Sequence, residues 1–249
     1  MNSLMTISKK DQFFYQENGY LLTHKSLFSK EKFDQLESIF QEHLAESQKD
    51  PSYDMDVPHF RDKRLFEFLM APEVMEVIAG IIGPNIGLWS SHFISKEPFK
   101  GKRTPWHEDS AYWNGRFDRF DGIVTLWLSI DGSDIENGCM GVVPGSHVNG
   151  FSTYADLDAN AAIFDSEISE EIDEKSVVWF ELQKGHYSLH DSRIIHGAHE
   201  NRSSRRRTGY TMRYFSTDMT LNPDHPGNQT HKVYYCQGEN HGNNPLLHI

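Results

Sequence analysis

The chain changes character near residue 85, and this change limits the folds that it can adopt. Before it, apolar residues recur at helical spacing. One helix is predicted to begin after Ser29 as its N-cap, and another to begin at Pro72 and end before Gly83-Pro84. The apolar stripes predicted to be buried are Phe33, Leu36, Ile39, Phe40 and Leu44 in the first helix, and Val74, Val77, Ile78, Ile81 and Ile82 in the second. Residues 11–82 are therefore predicted to be mostly helical, with a loop at 48–60.

After residue 85 the pattern is one of short β-like runs separated by Gly, Pro, Asn and Asp. The predicted strands are Ile86–Ser95, Gly122–Ile130, Cys139–Val143, Val177–Leu182, Tyr187–His190 and Thr208–Phe215. Helices followed by many strands predict a mainly β fold with flanking helices, a sandwich or jelly roll with the N-terminal helices on one face. The acidic segment 152–175 is predicted to be a mobile loop or lid near the barrel mouth.

Length and charge narrow the class of protein further. The 249 residues suit one domain, with a helical part at about 1–84 and a β core at about 85–249. A formal net charge of −12 disfavours binding to nucleic acid or to an anionic membrane surface. Two cysteines make no disulfide framework, and the N-terminal stretch lacks the apolar core of a signal peptide. A cytoplasmic location is expected, and nothing in the sequence specifies an oligomeric state.

The run Trp106-His107-Glu108-Asp109 is the main candidate for a metal site. If it is a strand or the end of one, His107 and Asp109 point to the same face and Glu108 points away. An imidazole and a carboxylate on one face supply two ligands of a 2-His-1-carboxylate triad, which leaves coordination positions open on Fe(II). His196 is the candidate third ligand. The competing histidines are His186, His190 and His199, and spacing alone does not exclude His190.

A basic run follows His196 and precedes a strand-like stretch. An enzyme that binds 2-oxoglutarate needs a cation for the carboxylate far from the metal, and the planar fork of arginine suits this task. Arg207 can point inward, together with Gly209, Thr211 and Arg213. The other arginines of the run are predicted to form a solvated basic loop: Arg202, Arg205 and Arg206.

These residues belong to an ordered series of motifs that spans residues 90 to 244: SSHFISKEP, TPWHEDSAYW, VTLWLSIDGSDIENGCMGVVPGSH, KGHYSLHDSRIIHGAHENRSSRRRTGYTMRY and HKVYYCQGENHGNN. The series resembles the phytanoyl-CoA dioxygenase-like branch of the Fe(II)/2-oxoglutarate oxygenases. The resemblance implies a double-stranded β-helix, a cupin-like jelly roll. The N-terminal helices fit the family only loosely.

The resemblance also implies roles for individual residues. It makes His107 and Asp109 iron ligands and favours His196 over His190 as the third. Arg207 matches the family's 2-oxoglutarate-binding arginine, and Trp127 and Lys96 match positions that border the co-substrate pocket. Relatives often carry a small hydroxyl residue at the position of Ala198, so one hydrogen bond to the co-substrate is expected to be missing here.

The implied activity is that of a dioxygenase that uses Fe(II), 2-oxoglutarate and O₂, hydroxylates a C–H bond of a small molecule and releases succinate and CO₂. Because Asp109 supplies a carboxylate ligand, halogenation is disfavoured. A small anionic or zwitterionic substrate is expected, and an acidic chain fits coenzyme A poorly. Candidate substrate contacts are Trp89, His92, Tyr112, Trp113 and Arg213. Two alternatives are a zinc-type metallohydrolase with the same ligands and a non-catalytic jelly-roll binding protein.

Overall fold

The computed structural model of the protein describes residues 7–47, 54–158 and 162–249. Its α-helices are α1 (Lys9–Asn18), α2 (Lys30–Glu46), α3 (Phe66–Leu69), α4 (Pro72–Ile82), α5 (Asp109–Tyr112) and α6 (Pro226–Thr230). Its strands are β1 (Tyr20–Ser26), β2 (Ile86–Lys96), β3 (Thr104–His107), β4 (Ile123–Ser129), β5 (Met140–Val142), β6 (Tyr154–Asp156), β7 (Ser166–Ile168), β8 (Val178–Trp179), β9 (His186–Asp191), β10 (His196–Ala198), β11 (Arg207–Ser216) and β12 (Tyr234–Gln237). Short 3₁₀ turns lie at Pro58–Phe60, Lys63–Leu65, Ser146–Val148 and Glu174–Ser176.

Both predicted helices are confirmed, and each is bounded by the expected residues. The Ser29 side chain accepts a hydrogen bond from the Lys32 amide and so caps α2. Pro72 occupies the first turn of α4, where its missing N–H costs no hydrogen bond. Gly83 ends α4 with a φ of 87°, in the region that glycine adopts without strain. The predicted stripes are buried or half-buried against the main core.

The prediction that residues 11–82 are mostly helical is wrong for Tyr20–Ser26, which form strand β1. This strand pairs with β9 at the edge of the larger sheet, with Tyr20 opposite His190. Its burial declines steadily from Tyr20 to Ser26 instead of alternating, so the sequence shows no period of two. Of the predicted loop at 48–60, residues 48–53 lie outside the described ranges and 58–60 form a 3₁₀ turn.

The strands form two main antiparallel sheets. The larger has the order β1-β9-β4-β11-β2-β12 and the smaller the order β3-β10-β5-β8. Each predicted strand has a counterpart, although only Val178–Trp179 of the predicted Val177–Leu182 forms a strand, and the mainly β fold with flanking helices is confirmed. The segment 152–175 is more ordered than predicted, because β6 and β7 pair as a two-stranded ribbon with Tyr154 opposite Ile168. That this segment is mobile stays a prediction.

Successive side chains of β11 point alternately into the core shared with the helices and into the space between the sheets. Tyr210 and Tyr214 lie in the core that α2 and α4 share with the larger sheet, where the Tyr210 ring stacks on Phe93 at 4.0 Å. The intervening Thr211 and Arg213 point to the opposite face and line a cavity. One core thus joins the helical and β parts, which supports the proposal of a single domain. None of the helices in the described ranges has the length and apolar character needed to cross a bilayer.

Candidate active site

A cavity of about 370 Å³ lies between the two sheets. The larger sheet contributes His92, Ile94, Trp127, His190, Arg207, Thr211 and Arg213. The smaller sheet contributes Thr104, His107, Met140, His196, Gly197 and Ala198. Asp109 and three residues next to the β6–β7 ribbon complete the wall: Ile163, Phe164 and Asp165. The volume is near the lower end of the range for small-molecule sites, roughly 300–1,000 Å³.

The pairing of β3 with β10 brings two histidines side by side. His107 is the register partner of His196, and their ring centroids are 4.1 Å apart. The His107 Nδ1 is 2.7 Å from the Pro105 carbonyl oxygen, and the His196 Nδ1 is 3.0 Å from the Ile194 carbonyl oxygen. A carbonyl oxygen can only accept, so each Nδ1 carries the proton and each Nε2 keeps a lone pair for a metal.

The Asp109 side chain also lies beside the two histidines, although Asp109 is not part of strand β3. His107 is the last residue of β3, whereas Asp109 is the first residue of the short helix α5. The stretch is therefore a strand end, as one of the two expected cases required, with Asp109 just beyond the last strand residue. Glu108 between them is extended, at φ −111° and ψ 133°, so the side chains still alternate through this turn. Asp109 Oδ1 lies 4.0 Å from His107 Nε2.

Asp109 also has a cationic neighbour. Arg213 donates through Nε to Asp109 Oδ2 at 3.2 Å, and both side chains are nearly buried. Burial alone would raise the pKa of Asp109, but the neighbouring charge of Arg213 is the largest of the influences that hold it below its ordinary value. Burial and the neighbouring His196 lower the pKa of His107 to about 3. An ionised carboxylate and a neutral imidazole are the forms that bind metal.

This donor set fits a single metal ion. Among the described residues, one group of three possible ligands has its ligand atoms within 4.8 Å of one another: His107, Asp109 and His196. Two imidazoles and one carboxylate are the ligands of the non-haem Fe(II) triad. His190 lines the cavity with its ring 5.0 Å from that of His196, but it is not part of the group. His199 stacks on Trp179 instead.

Arg207 is buried in the wall of the same cavity. Its Nε and Nη2 donate to the Gly138 carbonyl at 3.0 and 2.8 Å, and it forms no ion pair with any carboxylate of the described residues. Burial lowers the pKa of Arg207 to about 10, so the guanidinium remains charged at neutral pH. A buried cation without a carboxylate partner indicates a site for an anionic ligand.

Trp127 lies next to Arg207 in the cavity wall. The Arg207 Cζ is 5.6 Å from the centre of the Trp127 ring, and both residues line the cavity. Gly209 makes this arrangement possible, because a Cβ at that position would come within 2.0 Å of the indole. The glycine on β11 therefore leaves room for a tryptophan on the neighbouring strand β4.

Lys96 is the register partner of Arg207 on β2, but it does not line the cavity. Its Nζ donates to the carbonyl oxygens of Ala198 and His199. Burial and the nearby charge of Arg207 lower the pKa of Lys96 well below its ordinary value. Lys96 thus lies behind Arg207 and outside the cavity lining. Ala198 lines the cavity itself, and it occupies the position where relatives often carry a hydroxyl residue.

The candidate substrate contacts separate into two groups. His92 and Arg213 line the cavity, and the half-exposed Tyr112 lies with its ring 5.6 Å from that of His107. Trp89 and Trp113 do not line it, so their prediction as pocket residues is wrong. They pack together at the other end of the sandwich, where Phe117 and His231 also contact the Trp89 ring. Aromatic side chains fill that end of the sandwich themselves.

The sequence reasoning missed the contribution of the β6–β7 ribbon. Phe164 lies with its ring 5.1 Å from that of His107, and Ile163 and Asp165 flank it in the cavity wall. The signal that could have indicated this was the position of segment 152–175, which was predicted to lie near the barrel mouth.

The basic run is as solvated as predicted at Arg202 and Arg205, while Arg206 is partly covered and pairs with Asp131.

The chain is similar to known dioxygenases over most of its length. The human peroxisomal phytanoyl-CoA dioxygenase is 26% identical over 242 residues, covering 87% of this chain and 70% of the human protein. A probable alpha-ketoglutarate-dependent hypophosphite dioxygenase of Stutzerimonas stutzeri is 26% identical over 164 residues, covering 65% of this chain and 56% of that protein.

Solved structures share the fold at lower sequence identity. The apo form of the non-heme monooxygenase ThoJ superposes with a TM-score of 0.78 at 18% identity, covering 95% of this chain and 86% of ThoJ. EvdO2 from Micromonospora carbonacea var. aurantiaca, complexed with 2-oxoglutarate, gives a TM-score of 0.70 at 22% identity, covering 91% of this chain and 98% of EvdO2.

The sequence profile described as phytanoyl-CoA dioxygenase (PhyH) matches residues 15–209, which is well over half of the chain. The profile includes the triad residues and Arg207. The chain therefore belongs to the phytanoyl-CoA dioxygenase (PhyH) family of Fe(II)- and 2-oxoglutarate-dependent oxygenases.

Proposed function

We propose that this protein hydroxylates a C–H bond of a small molecule, with conversion of 2-oxoglutarate and O₂ to succinate and CO₂. In this proposal His107, Asp109 and His196 hold Fe(II), and Arg207 binds the 2-oxoglutarate carboxylate that is remote from the metal. The observation that carries the proposal is a buried arginine in the same cavity as the triad, which pairs with no carboxylate among the described residues. A zinc-type hydrolase has no use for such an arginine, and a non-catalytic binding protein has no use for the triad.

Bound Fe(II) together with the keto acid supplies the oxidising chemistry, and the protein supplies position and exclusion of water. Each histidine offers Nε2 because its Nδ1 donates to a main-chain carbonyl. Asp109 is held ionised beside Arg213. Arg207 is fixed by the Gly138 carbonyl and the neighbouring Trp127, with its remaining N–H groups available to a carboxylate. Trp127 is proposed to border the bound co-substrate, and Lys96 to support Arg207 from the neighbouring strand.

The size of the cavity restricts the substrate. Its volume of about 370 Å³ must hold the co-substrate as well as the reacting part of the substrate. A small molecule, or a small reacting end of a larger one, fits this space better than a whole acyl thioester of coenzyme A does. The presence of a carboxylate at Asp109 supports hydroxylation over halogenation, because the carboxylate fills the position that a halide would need.

The remaining proposals concern partners and compartment. A net charge of −12 supports the absence of nucleic-acid and membrane-surface partners. Cys139 and Cys236 are both free thiols, which supports a reducing compartment such as the cytoplasm.

The test is the metal and oxygen dependence of 2-oxoglutarate consumption. Purified protein is loaded with Fe(II) or Zn(II) and incubated with 2-oxoglutarate in air or under argon, and succinate is quantified by NMR. We expect succinate only with Fe(II) and O₂, and its loss in His107→Ala. Absence of succinate with the folded Fe(II)-loaded protein, combined with ester or amide hydrolysis by the Zn(II)-loaded protein, would favour the hydrolase.

A further inference from the structure

We propose that the primary substrate carries a cationic nitrogen, such as a protonated or quaternary amine, and that Asp165 binds it beside the rings of Tyr112 and Phe164. This inference rests on the proposed function for the position of the metal. It adds the substrate class and three residues that recognise it.

Two carboxylates fasten the β6–β7 ribbon beside the metal ligands. Glu108, which lies between two triad residues in sequence, accepts hydrogen bonds from the Ser152 hydroxyl at 2.7 Å and the Tyr154 hydroxyl at 2.8 Å. The second carboxylate belongs to the ribbon itself. Glu167 of β7 accepts hydrogen bonds from both terminal nitrogens of Arg103, at 2.6 and 2.9 Å. Phe164 and Asp165 lie between these two attachments in the chain, and both line the cavity.

Among the described residues that line the cavity, the exposed Asp165 is the acidic group that remains for the substrate. Arg213 is engaged with Asp109, and Asp109 is assigned to the metal. Arg207 is assigned to the co-substrate. Asp165 also lines the cavity, and within the described ranges its carboxylate has no ion pair and no side-chain hydrogen bond. It is close enough to influence the hydroxyl of Tyr112 electrostatically.

Two aromatic rings lie near Asp165. Phe164 lines the cavity next to it, and Tyr112, which is not part of the lining, is close enough for the Asp165 charge to act on its hydroxyl. The Tyr112 and Phe164 ring centroids are 5.3 Å apart, and each ring is within 5.6 Å of the His107 ring. Aromatic faces next to a carboxylate are the recognition chemistry for ammonium groups, because the ring quadrupole attracts a cation. A ligand nitrogen bound here would place its neighbouring carbon atoms toward the triad.

The bonds of Arg213 favour a cationic or zwitterionic substrate over a purely anionic one. An anionic substrate was expected because Arg213 was available to bind it, but Arg213 is already bonded to Asp109 and to the Thr211 hydroxyl. A zwitterion remains compatible with the site through its amino group. A substrate whose only charge is negative would meet Asp165 without a free cation to offset it.

The experiment compares probes of matched shape in the anaerobic Fe(II)- and 2-oxoglutarate-loaded protein. Choline and its neutral isostere 3,3-dimethylbutan-1-ol are titrated, together with pentylamine, 1-pentanol and pentanoate. Binding is followed by the perturbation of the visible charge-transfer band of the chelated keto acid. We expect each cation to bind at least about tenfold more tightly than its neutral partner, and pentanoate to bind most weakly.

Variants of Asp165 test whether its carboxylate causes the preference for cations. Asp165→Asn is expected to abolish the preference for cations while leaving the charge-transfer band itself unchanged, and Asp165→Glu is expected to restore part of the preference. Glu171→Gln, at an exposed acid that does not line the cavity, serves as the matched control. Equal binding of cations and isosteres, or an unchanged preference in Asp165→Asn, would overturn the inference while the band persists. Absence of the band in the wild type would instead overturn the proposed function, and this inference with it.

Discussion

The Nε of Arg213 donates to Oδ2 of Asp109 at 3.2 Å, and the other carboxylate oxygen, Oδ1, lies 4.0 Å from His107 Nε2. The two oxygens of one carboxylate therefore have different tasks. One is bonded to a buried cation on β11, and the other faces the histidine ligand atoms. Such a bond fixes the orientation of the carboxylate, so that Asp109 would offer Oδ1 to a metal held by the two histidines.

Replacement of Arg213 tests this division. Arg213→Gln removes the cation that orients Asp109, and the affinity for Fe(II) is expected to fall about 10- to 100-fold, as is common when the partner of a metal ligand is lost. The affinity is measured by anaerobic competition with a chromophoric chelator. Arg206→Gln, which removes an arginine paired with Asp131 away from the cavity, is the control and is expected to bind Fe(II) normally. Normal Fe(II) affinity in Arg213→Gln would show that Asp109 needs no such support.

Replacement of Arg207 is expected to weaken the binding of 2-oxoglutarate and to leave the binding of Fe(II) unchanged. Arg207→Lys keeps a positive charge but loses the planar fork, and Arg207→Gln loses both. Loss of a charged hydrogen bond of roughly 1.5–3 kcal/mol predicts a rise of about 10- to 100-fold in the Kd for 2-oxoglutarate, with a larger effect in the glutamine variant. Isothermal titration of 2-oxoglutarate into the anaerobic Fe(II) protein measures this. An unchanged Kd in both variants would remove Arg207 from the co-substrate site.

The Tyr154 hydroxyl connects the ribbon to the metal motif, since it donates to Glu108 Oε2 and accepts from the Glu108 amide. Tyr154→Phe is expected to lower the free energy of unfolding by about 1–3 kcal/mol, because a buried carboxylate loses a donor. Amide hydrogen exchange is expected to quicken in β6 and β7 and to stay unchanged in β4 and β11. Tyr235→Phe removes a hydroxyl that donates to the exposed Gly238 carbonyl, and provides the matched control. Equal exchange in both variants would contradict the role of Tyr154.

The buried His59 makes stability depend on pH at a position outside the cavity. Its Nδ1 bonds to the Ser91 hydroxyl at 2.7 Å, and burial lowers its pKa from 6.5 to about 3. The unfolded chain takes up a proton below pH 6.5 whereas the folded chain does not, so the stability that the neutral ring confers is present above that pH and is lost as the pH falls. Between pH 7 and 5 this one group should account for a loss of about 2 kcal/mol.

His59→Gln provides the comparison, because its amide can bond to Ser91 but does not titrate in this range. Urea unfolding of the metal-free protein at pH 7 and pH 5 should therefore show a smaller pH-dependent loss in the variant than in the wild type. The same loss in both proteins would mean that His59 is protonated in the folded state.

Local patterns predicted those parts of the fold that depend on local chemistry. The caps and stripes of α2 and α4 follow from helical spacing, and β2, β4 and β11 are long strands bounded by turn residues. Strand β1 was missed because it is an edge strand whose burial does not alternate. The ribbon β6–β7 was missed because its strands are only three residues long and are held by the side chains Glu108 and Arg103 from elsewhere in the chain.

For the candidate site too, the sequence predicted some residues and not others. The geometry brings His107, Asp109, His196 and Arg207 to one cavity, as the motifs and the family resemblance indicated. The contents of the cavity wall could not be read from local spacing, because they depend on contacts between distant segments. Trp89 faces an aromatic cluster at the far end of the sandwich, and the partner of Arg213 is a carboxylate 104 residues away in sequence.

The measurement that tests the central claim most directly is an anaerobic titration of Fe(II) and 2-oxoglutarate into the metal-free protein, with detection of the visible charge-transfer band of a chelated keto acid. We predict that the band forms in the wild type, is absent in His107→Ala, and requires a higher concentration of 2-oxoglutarate in Arg207→Gln. Binding of Fe(II) by the wild type without any such band on addition of 2-oxoglutarate would contradict the assignment of this cavity as an iron and 2-oxoglutarate site.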